Sequence, residues 1–189
     1  MYLKNLKNLI VCKIKDNMEF RKTMESDFWA KIYALVKDKK ASNGVINKEV
    51  GDYVYELDTF VLNEGLETAL QFWASKGFSF AIITNQGGIS KKRYSKEHVY
   101  KRNRFLENWF SERSLNLLCI SFCPHHDSLE ACICRKPNSL MLEKMIAKYT
   151  VSVKDSFLIG DSLRDIQAAD KVGMKGIQIV ANTNLNTIL

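Results

Sequence analysis

The chain has 189 residues, of which 46% are hydrophobic and 26% are charged, and this length is sufficient for one domain with a sizeable core. Its formal net charge of +7 comes from lysines and arginines spread along the sequence without a nucleic-acid reader motif, so we expect a small anionic partner, and nucleic acid is only a minor option. The apolar stretch near the start, residues 9–12, is too short for a membrane span or an export signal, and we expect no membrane partner.

The cysteines indicate a reducing compartment. There are five of them, and three, Cys123, Cys132 and Cys134, lie close together at spacings that metal ligands use. An odd total with metal-ligand spacing argues against a disulfide framework, which forms and persists mainly outside the cytoplasm. We therefore predict a cytoplasmic location. We also expect the chain to act as a monomer.

The first part of the chain differs from the rest in its pattern. Residues 1–30 have no clear period, and we interpret them as an N-terminal extension that is partly helical. Residues 31–189 form the predicted folded domain, because short apolar runs there alternate with segments of helical period. This alternation is typical of a parallel sheet with crossover helices. The predicted strands are residues 32–36, 78–83, 117–122, 157–159 and 177–180.

The predicted helices carry recognisable boundary residues. An apolar stripe from Leu66 to Trp73 ends at Gly77, which is a natural left-handed cap. Ser95 and Ser139 are good N-caps for two further helices, and a fourth runs over residues 163–172. These helices fill the intervals between strands and leave little chain for a large cap domain. The expected architecture is therefore a three-layer α/β fold with a central parallel sheet.

Four metal-ligating side chains lie within twelve residues. They are Cys123, His125, Cys132 and Cys134. Three thiolates and one imidazole are the ligand set of a closed tetrahedral zinc site, which stabilises a loop and leaves no position open for catalysis. His126 is an alternative to His125, although the Cys-x-His spacing favours His125. The cluster runs directly into Arg135 and Lys136, so we expect the zinc-braced loop to direct two cations at one anion, such as a phosphate.

Polar residues follow the ends of successive predicted strands. In chain order they are Asp38, then Thr84-Asn85-Gln86, then Arg135-Lys136, then Asp161 and Asp165. Ligands of open α/β sheets bind beyond the carboxyl ends of the strands. The sequence therefore predicts that these side chains converge on one crevice.

The same segments resemble a known superfamily. TNQGGIS at residues 84–90, CPHH…CICRKP at 123–137 and GDSLRDIQAAD at 160–170 are similar to motifs of the haloacid-dehalogenase (HAD) phosphatases. More narrowly, they resemble the D-glycero-D-manno-heptose-1,7-bisphosphate 7-phosphatases and the related histidinol-phosphate phosphatases. GVIN at 44–47, followed by GDYVYELDTF at 51–60, is also similar to that family. The resemblance covers about residues 31–181.

The resemblance implies Mg²⁺-dependent hydrolysis of a phosphate monoester through an aspartyl-phosphate. It implies that Asp161 binds Mg²⁺ and that Thr84 donates a hydrogen bond to the transferring phosphoryl group. It also implies that Lys136 neutralises the charge of this phosphoryl group. Asp165 either supports the metal or orients Lys136. The residues implied for binding the remainder of the substrate are Asn85, Gln86, Gly87 and Arg135.

The first motif departs from the family pattern, which has two aspartates before GVIN. An ungapped register puts Ala41 and Asn43 at the two carboxylate positions, and no phosphoryl enzyme can then form. A register set by the strand 32–36 makes Asp38 the nucleophile and puts Lys40 at the second position, and this is our working hypothesis. Loss of the second aspartate removes a general acid that contributes about 10²- to 10⁴-fold. Lysine there would also weaken Mg²⁺ binding.

Two functions of different classes follow. The first is a phosphatase for a small sugar phosphate, namely the 7-phosphate of the heptose bisphosphate, which TNQGGIS favours over histidinol phosphate. The short loop between His125 and Cys132 is instead typical of the histidinol-phosphate enzymes. The second is a catalytically impaired protein that binds a phosphorylated ligand or a partner. A phosphatase for nucleic-acid ends is a weaker third, supported only by the basic helix after Ser95.

Overall fold

A five-stranded sheet forms the centre of the fold. The computed structural model describes residues 8–14, 44–48, 60–180 and 182–189. Its strands are β1 (Asn8–Cys12), β2 (Ser79–Asn85), β3 (Leu117–Cys123), β4 (Phe157–Gly160) and β5 (Lys175–Gln178), in the spatial order β3-β2-β1-β4-β5. The helices are α1 (Leu66–Ser75), α2 (Lys96–Glu112), α3 (Leu140–Tyr149) and α4 (Leu163–Asp170), with 3-10 turns at Val153–Asp155 and Leu185–Ile188.

The sheet is mixed, which differs from the parallel sheet that the sequence predicts. Strand pairs β2/β3 and β4/β5 are parallel as expected, but β1 runs antiparallel to both β2 and β4. This central strand comes from residues 8–12, inside the predicted N-terminal extension. Leu9, Ile10, Val11 and Cys12 are fully buried, because a continuous apolar run suits a strand that is covered on both faces. The predicted strand 32–36 lies outside the described residues.

The three predicted layers are confirmed. Residues of β2 alternate between the two faces of the sheet, since Phe80 and Ile82 belong to one buried cluster and Ala81 and Ile83 to the other. Helices α1 and α2 supply Trp73, Leu106 and other apolar residues to the first cluster. Helices α3 and α4 supply Met145, Ala168 and their neighbours to the second. Each helix therefore lies on the face that its apolar stripe requires.

The helix boundaries in the structure agree with the boundary residues that the sequence predicts. Ser95 is the N-cap of α2 in a capping box with His98, and Ser139 precedes α3. Gly77 follows α1 with φ +72°. Between residues 60 and 180 the segments that connect strands hold these helices and short loops, without an inserted cap domain. Within the described ranges, no helix combines the length and apolar character needed to cross a bilayer.

Candidate functional site

The ends of β2 and β4 define the candidate site. Thr84 lies near the end of β2 and Asp161 directly follows β4, and both are buried. Because β2 and β4 each pair with β1 in the antiparallel sense, they run in the same direction and end at one edge of the sheet. Two strand spacings separate them, which is about 10 Å. A phosphate-sized group fits between two side chains at that separation.

The ammonium of Lys136 connects these two strand ends. Its Nζ donates to the backbone carbonyl of Ile83 over 2.9 Å and lies 3.0 Å from Oδ1 of Asp165. The second carboxylate oxygen of Asp165 accepts from the backbone N–H of Ser162, where α4 begins. Thr84, Lys136 and Asp161 therefore lie at one edge, as the sequence predicts. Of the two roles foreseen for Asp165, these contacts favour the orientation of Lys136 over magnesium binding.

Asn85 fixes the backbone of Lys136. Its side-chain Oδ1 accepts from the N–H of Lys136 and its Nδ2 donates to the carbonyl of the same residue, each over 3.0 Å. Asn85 was predicted to line the substrate approach. Since both ends of its amide are engaged by the main chain, it instead holds the Lys136 segment against the end of β2.

Gln86 also has a supporting position. It is fully buried, and its Nε2 donates to Oγ1 of Thr84 over 2.8 Å, while the hydroxyl of Tyr94 donates to its Oε1 over 2.7 Å. Gln86 therefore holds Thr84 from inside the protein, whereas the sequence predicted that it lines the approach. Tyr94 was missed, because one tyrosine in a basic loop before α2 carries no local signal of a contact with the TNQ segment.

The four predicted zinc ligands come together. Cys123, His125, Cys132 and Cys134 each offer one ligand atom, and these atoms all lie within 4.8 Å of one another. Three sulfur pairs are separated by 3.2 to 3.7 Å, and the His125 Nδ1 lies 3.6 Å from Cys123 and 3.3 Å from Cys134. These sulfur separations are far longer than a disulfide bond of about 2.05 Å. Burial is the main factor that raises the pKa of Cys123, which makes its thiolate dependent on a bound cation.

The metal-ligand loop contacts the TNQ segment through Gly87. A Cβ at this position would lie 2.9 Å from the carbonyl oxygen of His125 and 3.0 Å from Nη1 of Arg135. Nη1 of Arg135 itself donates to the His125 carbonyl over 2.8 Å. A residue without a side chain is therefore required where the two segments meet. This contact accounts for Gly87, which was predicted to bind substrate.

A charged cluster, which we call the site mouth, carries a net positive charge. It consists of Arg135, Arg164 and Asp127. Arg135 is buried, and its Nε has no hydrogen-bond partner among the described residues. Asp127 lies 3.7 Å from Arg135 and 3.4 Å from Arg164, which are both cationic, and 3.0 Å from the imidazole of His126. Burial raises the pKa of Asp127, but the charges of Arg135, His126 and Arg164 outweigh it and lower that pKa. An anionic ligand would meet unfilled guanidinium donors here.

Known proteins share both the sequence and the fold. Residues 133–184 match the HAD-hydrolase-like family. A D-glycero-beta-D-manno-heptose-1,7-bisphosphate 7-phosphatase of Neisseria meningitidis serogroup A is 32% identical over 146 residues, which cover 77% of this chain and 78% of that protein. The corresponding alpha-anomer enzyme of Campylobacter jejuni is 33% identical over 138 residues, covering 73% and 76%. This chain belongs to the heptose-bisphosphate phosphatase family.

A solved structure supports the same family. The D,D-heptose 1,7-bisphosphate phosphatase of B. bronchiseptica, in complex with magnesium and phosphate, superposes with a TM-score of 0.64. It is 25% identical, and the match covers 71% of this chain and 74% of that one. The predicted HAD-like fold and the narrower resemblance to heptose-bisphosphate phosphatases are thereby confirmed.

Residues 44–47, which follow the first motif of the family, reach the site. The backbone N–H of Gly44 donates to Oδ2 of Asp161. Asn63 fixes the same segment, because its Nδ2 donates to the carbonyls of Gly44 over 3.0 Å and Val45 over 2.8 Å. Asp38, Lys40, Ala41 and Asn43 lie outside the described residues. The choice of Asp38 as nucleophile therefore stays a prediction.

Proposed function

We propose that the chain is a Mg²⁺-dependent phosphomonoesterase that removes the 7-phosphate of D-glycero-D-manno-heptose 1,7-bisphosphate. The single observation that carries the proposal is the buried ammonium of Lys136, which is fixed between the ends of β2 and β4 beside Thr84 and Asp161. The names of the relatives, and the magnesium and phosphate in the solved structure, support the substrate and the metal.

Each site residue has a definite task in this proposal. Asp161 holds Mg²⁺, since it is a buried carboxylate at a strand end that also contacts the segment after the first motif. The metal supplies charge neutralisation for the phosphoryl oxygens. Lys136 adds a fixed positive charge, and the hydroxyl of Thr84 donates a hydrogen bond to the transferring group. Arg135 binds an anionic part of the substrate that does not react.

Asp38 is the proposed nucleophile, and Lys40 stands where the family has its second aspartate. The leaving alkoxide then lacks its usual proton donor. We therefore expect turnover that is slower by about 10²- to 10⁴-fold than with a complete motif. A catalytically impaired, ligand-binding protein remains the alternative, because the ungapped register has Ala41 and Asn43 at both positions.

We also propose that the cysteine and histidine cluster holds structural Zn²⁺. Tetrahedral bonds of about 2.3 Å to sulfur and about 2.0 Å to nitrogen separate two sulfurs by about 3.8 Å, and a sulfur from a nitrogen by about 3.5 Å. Two sulfur pairs at 3.7 Å and the sulfur–nitrogen distances of 3.3 and 3.6 Å fit this ligand set, whereas the Cys123–Cys134 pair, at 3.2 Å, is shorter. Zinc there would stabilise the loop that carries Arg135. Its thiolates suit the cytoplasmic location that we propose.

The charges at the site mouth favour a bisphosphate over histidinol phosphate. Histidinol phosphate carries a cationic amine, whereas the second phosphate of the heptose bisphosphate is an anion. Arg135 and Arg164 attract the latter and repel the former. Histidinol phosphate is therefore the second candidate substrate, and the only observation in its favour is the short loop between His125 and Cys132.

The test is phosphate release by the purified full chain with Mg²⁺. Both anomers of heptose 1,7-bisphosphate and histidinol phosphate are compared, and Asp38→Asn is set beside Asp170→Asn, an exposed control at the end of α4. We expect turnover of a heptose bisphosphate that Asp38→Asn abolishes and Asp170→Asn preserves. Phosphate binding without turnover would favour the impaired alternative. Absence of both would contradict the proposed function.

A further inference from the structure

Three buried polar side chains form a chain of hydrogen bonds behind the site. Tyr94 lies just before α2, Gln86 follows β2, and Thr84 lies near the end of β2. Thr84 and Gln86 are fully buried, and Tyr94 is 7% exposed. The hydrogen bonds are 2.7 Å from Tyr94 to Gln86 and 2.8 Å from Gln86 to Thr84. Only Thr84 has a proposed contact with the substrate, so the other two act through it.

The direction of these bonds determines where the Thr84 proton points. Because Nε2 of Gln86 donates to Oγ1 of Thr84, the hydroxyl of Thr84 keeps its own proton for another acceptor. The reverse orientation of the amide would present Oε1 to Thr84 and take up that proton. In the observed orientation the hydroxyl of Tyr94 donates to Oε1 from the other side, and reversal of the amide would break this hydrogen bond unless the phenol proton also turned away.

A buried cation near Tyr94 favours the same direction. Arg102 on α2 is 6% exposed and interacts electrostatically with Tyr94. The positive charge of the guanidinium favours an orientation in which the phenol oxygen faces it and the phenol proton points away. The phenol proton is then directed to Gln86.

The loop is shaped to accept the Tyr94 ring. A Cβ at Gly88 would overlap the atoms of this ring. The second glycine of the TNQGG segment therefore provides space for Tyr94, as the first provides space for the metal-ligand loop. The ring is held against the loop by packing, which leaves the hydroxyl to act on Gln86.

We propose that Tyr94 is a positioning residue, which acts through Gln86 to keep the Thr84 hydroxyl proton directed at the transferring phosphoryl group. The proposal rests on the proposed function, because it concerns the same phosphate position. A donor held in advance at the place where charge develops stabilises the transition state more than the bound substrate. Loss of the Tyr94 hydroxyl should therefore reduce kcat more than it changes KM.

The test is a double-mutant cycle read by turnover and by orthovanadate binding. Tyr94→Phe keeps the ring and removes the hydroxyl, and we expect kcat and vanadate affinity each to fall roughly three- to tenfold, which corresponds to one neutral hydrogen bond. In a Gln86→Met or Thr84→Val background the same change should have no further effect. Tyr100→Phe, at an exposed tyrosine of α2, is the matched control and should change neither quantity.

The outcomes separate this proposal from the proposed function. Equal losses in the wild-type and Thr84→Val backgrounds, or no loss with Tyr94→Phe, would overturn the positioning role even if heptose bisphosphate is hydrolysed. Vanadate binding that depends on Tyr94 in a protein without turnover would support the positioning role and contradict the phosphatase. A wild-type chain that binds neither phosphate nor vanadate would overturn both.

Discussion

The Nζ of Lys136 lies 3.0 Å from the carboxylate of Asp165, and the two side chains are only 2% and 3% exposed. A buried ion pair costs desolvation energy on both sides, so its net contribution to stability is small while both charges are present. Removal of one partner is different, because it leaves an uncompensated charge in the interior. The pair therefore keeps Lys136 in one position even if it adds little to stability.

We predict that Asp165→Asn lowers the free energy of unfolding by about 3 to 5 kcal/mol. Asparagine can still accept from the N–H of Ser162, so the helix cap is retained and the loss reports on Lys136. The double variant Lys136→Met with Asp165→Asn should lose much less, because no buried charge remains. Urea unfolding of the wild type, Asp165→Asn and the double variant measures these free energies.

The control for this prediction is an exposed pair of the same length. Nε of Arg113 lies 2.9 Å from Glu67, and these side chains are 27% and 48% exposed. Glu67→Gln should cost at most about 1 kcal/mol, since solvent screens the pair. A similar cost for Asp165→Asn would contradict the interpretation of Lys136 as a buried, charge-paired group.

We predict that each purified chain contains one zinc ion, which mass spectrometry of the protein would detect. Cys134→Ser should remove it, whereas Cys119→Ser should not, because Cys119 lies outside the ligand cluster. Loss of zinc should also weaken phosphate binding, since Arg135 is hydrogen-bonded to the backbone of His125 within the loop. Complete loss of zinc with unchanged phosphate affinity would contradict the predicted link between the zinc cluster and phosphate binding.

The buried guanidinium of Arg102 should make stability depend on pH. Burial lowers its pKa from the ordinary value of arginine to about 10, and its Nε and Nη2 have no hydrogen-bond partner in the described part of the chain. The charged form is therefore disfavoured in the native protein. Arg102→Met should stabilise the fold at pH 7 by roughly 1 to 3 kcal/mol. Arg104→Met, at the exposed neighbouring arginine, should change stability by less than about 0.5 kcal/mol.

The difference between wild type and Arg102→Met should shrink as the pH rises above about 10. Above that pH, and below the ordinary pKa of arginine, the native state has released the proton while the unfolded state retains it, so wild-type stability rises relative to the variant. Urea unfolding of both proteins at neutral and at alkaline pH measures this difference. A difference in stability that stays constant or widens as the pH rises would contradict a charged Arg102 that is disfavoured by burial.

We predict that Ile10→Ala lowers the free energy of unfolding by about 2 to 5 kcal/mol. Ile10 is fully buried in β1, where it pairs with Ala81 of β2 and Leu158 of β4. Val61→Ala, at a residue that is 49% exposed, is the control and should cost less than about 0.5 kcal/mol. An equally small effect at Ile10 would mean that residues 8–12 behave as the extension that the sequence predicted.

Much of the site could be predicted because its signals are local. Thr84 and Asp161 each follow a short apolar run, and parallel strands bring such ends to one edge of a sheet. The four metal ligands have a characteristic spacing, and Ser95 and Gly77 are typical helix boundaries. These features depend on a few neighbouring residues, so the sequence alone is sufficient to find them.

The features that were missed depend on contacts between segments that are separated in the sequence. Residues 9–12 form a short apolar run, but its place in the centre of the sheet and its direction are determined by pairing with β2 and β4. The tasks of Asn85, Gln86 and Gly87 follow from the Lys136 backbone, the Tyr94 hydroxyl and the metal-ligand loop. Residue type predicts that an amide will form hydrogen bonds, but it does not identify the partner.

The reversed central strand has a consequence for biosynthesis. β1 is the first described strand to leave the ribosome, yet one of its two neighbours, β4, is translated only after β2 and β3. Until then its hydrogen-bonding groups on that side have no strand to pair with. We therefore expect this apolar segment to be prone to aggregation during synthesis until β4 has emerged.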